Sequence, residues 1–365
     1  MRLRLEHGRR DDLKTLHPAY FALVMATGIV SIATYLHGIP VFPKVLFWLN
    51  ALFLAGLAAA TGARILRYSR AFADDFQSHS RAVGFFTTVA ATAVFGTQLV
   101  LLMDAARIAA VFWIAATVLC FLMFYGVFAI LTVKSDKPGL ADGLNGGWLV
   151  SVVAFQSVAL LAVLISAAGV FPGLERPTLF AALVLWLGGG AQYLWIITLI
   201  FFRCTFVHVA PEDLTPPYWI NMGAVAISTL VGATLIEHAA LSQDVAEIVP
   251  FVKGFTLLYW AIATLWIPML LALNVWRYLI CGVPLAYDPL SWGGVFPLGM
   301  YSVSTYHLAK ILAAPFLLPL SQLFMVIAVL AWAATFAGLV DSRLNRLSHA
   351  QSKAEAVNGA FFGKP

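Results

Sequence analysis

Ten runs of apolar residues, each about long enough to cross a bilayer, dominate this 365-residue chain. A hydrocarbon core about 30 Å thick takes roughly 20 residues of helix at 1.5 Å per residue. The runs lie near 18–37, 43–63, 82–103, 108–133, 146–168, 178–202, 218–238, 251–276, 289–312 and 320–340. Helix breakers separate them, among them His37-Gly-Ile-Pro40, Lys137-Pro-Gly139, Phe171-Pro-Gly173, Pro216-Pro217 and Pro315 with Pro319. Unpaired backbone is too costly in lipid for anything but helices or closed barrels. The expected fold is therefore all-α: an integral membrane protein of ten transmembrane helices.

Composition agrees, with 61% hydrophobic and only 11% charged residues, against about 25% charged in soluble domains. The net charge of +5 does not indicate a nucleic-acid partner, because the basic residues sit in tails and short loops. With alternate segments assigned to opposite sides, seventeen Lys and Arg fall with the termini and five opposite. The five are Lys44, Arg107, Arg176, Lys253 and Lys310. The positive-inside rule then places both termini in the cytoplasm. A tail over 1–17, a membrane domain over 18–340 and a second tail over 341–365 follow. No removable signal peptide is apparent. Cys120, Cys204 and Cys281 are too scattered for a disulfide framework or a metal site.

Short connections make consecutive spans antiparallel, giving five helical hairpins. Ser, Thr, Asn and Gln number 20 in the odd spans and 13 in the even ones, which points to odd helices inside. Gly28, Gly96, Gly223, Gly232 and Gly299 also fall in odd spans. They serve either close helix packing or a pore-facing inner surface.

The ninth span, from Tyr287 to Lys310, carries the sharpest pattern. Asp288-Pro289 is a good helix start, and Pro297 sits inside the span, where proline tends to kink a helix. Phe296, Met300, Val303, His307 and Lys310 recur at steps of four and three, so they share one face. About 21 Å of helix rise separates the phenylalanine from the lysine. Phe296 is either a core packing residue or a ring that closes a path by excluding water. Lys310 either snorkels to the interface or, with His307, attracts anions to one mouth. Glu237, with His238 at the end of the seventh span, belongs to an interface, and with His307 it is titratable near membrane depth.

The opening segment His17-Pro-Ala-Tyr-Phe-Ala-Leu-Val-Met25-Ala-Thr-Gly28 resembles the first helix of the tellurite-resistance/dicarboxylate transporter family. The run Trp292-Gly-Gly-Val-Phe296-Pro297-Leu-Gly299 resembles the same family's gate region. That family includes malic acid permeases, sulfite pumps and slow anion channels. The resemblance implies five hairpins around a quasi-fivefold central pore, odd helices inside, in a homotrimer with one path per subunit. It implies a small anionic substrate, C4-dicarboxylates such as malate foremost, with tellurite, sulfite or chloride-like anions as alternatives. Phe296 beside Pro297 takes the gate position. Met25, Gly28, Gly96, Gly232, Gly299, Met300 and Val303 then line the path, and His307, Lys310 and Glu237 serve anion attraction or proton coupling. Neither a cofactor nor a resident metal is expected, and an enzyme is disfavoured because no nucleophile cluster, metal-binding helix or phosphate loop is present. A bacterial inner (plasma) membrane is the expected location.

Overall fold

The computed structural model describes the backbone of residues 13–362 and side chains as far as Asn345. Arg2, Arg4, Arg9, Arg10 and Lys364 in the expected tails lie outside the described residues, as do the side chains of Arg346 and Lys353. Among the described residues the chain is helical without strands. Ten long helices appear where the apolar runs predict them: α1 Pro18–Leu36, α2 Phe42–Arg67, α3 Ala82–Met103, α4 Ala106–Val133 and α5 Gly146–Ala167. They continue with α6 Glu175–Phe206, α7 Pro216–Glu237, α8 Val249–Ile280, α9 Trp292–Ile311 and α10 Leu318–Phe362. Helix α10 runs on past residue 340 without a break.

Nine of these regions are apolar and long enough to cross a membrane by composition alone. The exception is α9, which carries Gly293, Gly294, Ser302, Ser304, Thr305, His307 and Lys310 within 20 residues. It tolerates that polarity because protein encloses it: 14 of its 20 residues are buried. The same division runs through the whole bundle. In the apolar windows of α1, α3, α5 and α7, 72–89% of residues are buried, against 17–44% in the even helices.

The odd helices close a circle. Helix α1 packs on α3, α3 on α5, α5 on α7, α7 on α9, and α9 back on α1. Each even helix lies outside, wedged between its hairpin partner and the next odd helix. Polar pins lock four of those outer seams. Asn50 of α2 donates to Gln98 of α3 at 2.7 Å, and the Trp186 indole of α6 donates to the Ser228 carbonyl of α7 at 2.8 Å. Trp260 of α8 donates to Thr305 of α9, and Trp332 of α10 to Thr27 of α1, each at 3.0 Å. In the fifth seam, α4 against α5, the buried Trp113 indole N–H has no partner.

The hydroxyls of the odd helices are mostly satisfied locally. Thr34, Thr97, Ser228, Thr229 and Thr234 each donate to a carbonyl four residues back. The polar excess therefore marks helices sheltered from lipid, and only part of it faces a central path.

Every odd helix begins with a 3-10 turn, at Pro18–Phe21, Ala82–Phe85, Gly146–Leu149, Pro216–Trp219 and Pro289–Ser291. These five turns touch one another in sequence around the circle, forming a collar at one end of the bundle. The collar requires close backbone approach. A Cβ on Gly146 would lie 2.5 Å from the Pro217 carbonyl oxygen and 2.6 Å from the Tyr218 Cα. Gly146→Ala should therefore destabilise the protein by about 1–3 kcal/mol, lowering its melting temperature in detergent. Gly56→Ala on α2, where a Cβ meets nothing within 4 Å, should leave stability unchanged or slightly raised.

Candidate functional site

The collar opens into a vestibule of about 570 Å³ lined by all five odd helices. Its walls repeat the helical step on each: Ala19, Ala22 and Met25 on α1; Gly84 and Thr87 on α3; Gly147, Val150 and Val153 on α5. Pro217 and Ile220 follow on α7, and Gly293 and Phe296 on α9. Further along the same faces lies a second cavity of only about 40 Å³, again bounded by five helices. There Ile29, Val94, Leu160, Leu230, Met300 and Val303 face inward, with His307 at the end of the α9 stripe.

Phe296 sits between the two spaces, lining the deep end of the vestibule at 2% exposure. One turn on, Met300 and Val303 belong to the far cavity. Pro297 lies within the continuous helix and packs across to α7, where a Cβ on Gly223 would come 2.7 Å from its Cγ. At the level between the cavities the helical step on α5 runs from Val153 to Leu160 through Ser157. The Ser157 hydroxyl is buried and, unlike the back-bonded hydroxyls named above, has no hydrogen-bond partner. Sequence reasoning missed it, because one serine in an apolar helix looks like any other until its neighbours are known.

The structure places the predicted site residues in two groups. Phe296, Met25, Met300, Val303 and His307 line the axial spaces. Gly28, Gly96, Gly232 and Gly299 sit at helix contacts instead, where a Cβ would meet Val94, Leu161, Thr256 and Ile29 within 3 Å. Their part is close packing, the other role the sequence left open. At the far end His307 Nδ1 lies 3.0 Å from both carboxylate oxygens of Glu237. Lys310 turns aside, with Nζ 4.6 Å from the Tyr306 ring centroid.

The vestibule is not a simple basic funnel. Arg81 and Arg203 face it together with Asp142, Glu212 and Asp213. Arg81 spends its guanidinium on Asp75 at 2.6 Å and on the Leu16 carbonyl. Asp75 also holds the buried Arg64 at 2.7 Å. Arg203 donates to the Tyr218 hydroxyl at 2.5 Å and to the Ala141 carbonyl at 2.9 Å, and pairs with Asp213 at 3.5 Å. These arginines brace the collar. The carboxylates of Asp142, Glu212 and Asp213 still face the vestibule, together with the positive ends of five parallel helix dipoles. Side chains cap α1, α5 and α9 through His17, Asn145 and Asp288, whereas the turns that open α3 and α7 have no such cap. Among the described residues no group of three or more His, Cys, Asp and Glu is arranged to hold a metal.

Comparison with known proteins gives a relationship over nearly the whole bundle. The SLAC1 family, described as a voltage-dependent anion channel, matches residues 15–340. An uncharacterized membrane protein of Mycobacterium tuberculosis H37Rv is 33% identical over 179 residues, 47% of this chain and 90% of that protein. Two uncharacterized transporters of Methanocaldococcus jannaschii are 24% and 26% identical over 309 and 312 residues, 82% of this chain and 86% of each.

His17 gives the collar a pH dependence. Its Nδ1 accepts from the Ala19 N–H at 3.0 Å, and burial, reinforced by the Arg81 charge, holds its pKa down to about 4 from the usual 6.5. Between those values the unfolded chain binds a proton that the folded protein refuses, so stability falls as pH drops through that window. Melting temperature should decline from pH 7 to pH 4.5. His17→Asn, which keeps a capping acceptor, should flatten that decline.

Proposed function

The chain belongs to the SLAC1, or voltage-dependent anion channel, family, and from that premise we propose that small anions pass through its axial path under control of Phe296. Membership makes the protein a membrane transporter or channel for anions. The observation that carries the finer reading is the position of Phe296 between two cavities that share the same five helix faces. An aromatic ring there excludes water and ions until it moves. Ser157 offers a hydroxyl donor to an anion at the same level.

C4-dicarboxylates such as malate are the substrates we favour, on the family resemblance and on a vestibule large enough for them. Chloride-like monovalent anions are the second reading. The far cavity of about 40 Å³, apolar apart from Thr97, Thr234 and His307, favours it. The assembly we infer is a homotrimer with one path per subunit, in a plasma or inner membrane with both termini cytoplasmic. The resemblance supports the trimer, and the seventeen-to-five distribution of basic residues supports the orientation.

Moving one charge through 100 mV is worth about 2.3 kcal/mol, so an inside-negative potential drives anion export. Uptake requires coupling, and the His307–Glu237 pair at the far mouth is the proton-linked element we propose. Flux insensitive to the pH gradient, or to His307→Gln with Glu237→Gln, would remove that coupling.

The principal test compares labelled malate and chloride flux in liposomes carrying the purified protein. Phe296→Ala should raise flux of the transported anion by about tenfold or more. In that opened background Ser157→Ala should lower flux by about tenfold, the loss of one hydrogen bond to a charged group. Unchanged flux in Phe296→Ala would contradict the gate.

A further inference from the structure

A second large cavity, of about 530 Å³, lies outside the circle of odd helices, between the end of α8, the start of α9 and α10. We propose that this cleft binds an anionic phospholipid, with the phosphate on Arg277 and an acyl chain in the apolar slot behind the gate helix.

The polar end is built by Arg277 and Tyr278, in the π-helical turn Val275–Ile280 that finishes α8. One guanidinium nitrogen donates to the Leu214 carbonyl, and the group lies 5.0 Å from the Tyr278 ring centroid. The Arg277 Nε is buried without any partner. Arg277 lines the cleft and no ion pair engages it among the described residues, so its other terminal nitrogen can donate to a phosphate oxygen. The one carboxylate in the cleft, Asp288, is already engaged by the Leu290 N–H at 2.7 Å.

The apolar end is formed by Val295 and Leu298 of α9 with Ala331 and Ala334 of α10, the latter two within an apolar candidate span. Depth is fixed independently by the segment that follows Arg277. Leu279, Ile280 and Leu285 are 78%, 72% and 85% exposed. Three large aliphatic side chains in one short stretch make poor sense in water, but fit the boundary between headgroups and acyl chains. An arginine without an ion-pair partner at that depth, opening onto an apolar slot, has the chemistry of an anionic lipid site.

The site bears on the gate helix from behind. Phe296 points to the axial path, whereas Val295 and Leu298 face the cleft. Thr215 and Leu290 line both spaces, so a single layer of side chains separates the lipid from the vestibule. The inference does not rest on the transport reading, and lipid binding is measurable whether or not anions move.

The test uses the full chain purified in detergent, with native mass spectrometry and melting temperature as readouts. Phosphatidylglycerol and zwitterionic phosphatidylcholine are compared. Wild-type protein should retain phosphatidylglycerol preferentially and melt higher in its presence. Arg277→Gln should weaken that retention about tenfold, the loss of one charged hydrogen bond. Because Arg277 also braces the Leu214 carbonyl, Ala334→Trp provides a second arm that fills the apolar slot and leaves the arginine intact. It too should reduce retention. Equal retention of both lipids by the wild type, or wild-type retention of phosphatidylglycerol in Ala334→Trp, would overturn the proposal. So would displacement of the lipid by inorganic phosphate, which would assign Arg277 to a soluble anion.

Discussion

A bilayer supplies no hydrogen bonds, so backbone polar groups at membrane depth must be satisfied within the protein, and polar side chains must be kept away from lipid. This bundle meets that constraint by dividing its labour. The five even helices present Leu, Phe, Val and Ile to the lipid, and the five odd helices are free to carry what lipid would reject. Helix α9 shows the consequence most clearly. Its glycines, hydroxyls, histidine and lysine would make a poor lipid-facing span, yet it is the helix that bears Phe296. The pins from Asn50, Trp186, Trp260 and Trp332 hold the two layers in register, each joining an outer helix to the next hairpin rather than to its own. Closure of the circle is therefore a property of all five hairpins together.

The same arrangement sets the electrostatics. Five parallel helices with their starts in one collar aim their positive dipole ends at the vestibule, while Arg64, Arg81 and Arg203 are largely consumed in bracing that collar. Carboxylates at Asp142, Glu212 and Asp213 offset the remaining side-chain charge. On the proposed reading, a path of this kind attracts anions weakly and lets them leave, as conduction requires. At the far mouth His307 Nδ1 lies 3.0 Å from both carboxylate oxygens of Glu237.

Much of this was legible in the sequence, for identifiable reasons. Hydrophobic length alone placed the helices within a few residues, because lipid imposes it, except for the end of α10, which continues past the apolar run. The stripe Phe296, Met300, Val303 and His307 was legible because helical spacing alone determines a shared face, and those four do line the axial spaces. Lys310 shares the spacing but leaves the stripe, because Tyr306 captures its ammonium group. The glycines could not be sorted from spacing, since a glycine that lines a path and one that admits a neighbour read identically. The partners of Gly28 and Gly232 lie on other helices, and only packing reveals them. The collar of 3-10 turns, the unpartnered Ser157 and the Arg277 cleft likewise depend on contacts between distant segments.

On the proposed reading, one continuous axial path runs past Phe296 from the vestibule to the far cavity. Cysteine accessibility tests it most directly, after replacing Cys120, Cys204 and Cys281 by serine and introducing Met300→Cys. A negatively charged, membrane-impermeant thiol reagent applied from the collar side should modify that cysteine slowly with Phe296 present and much faster with Phe296→Ala. Equal rates in the two proteins would mean that Phe296 does not separate the cavities, and the account of the path would fall.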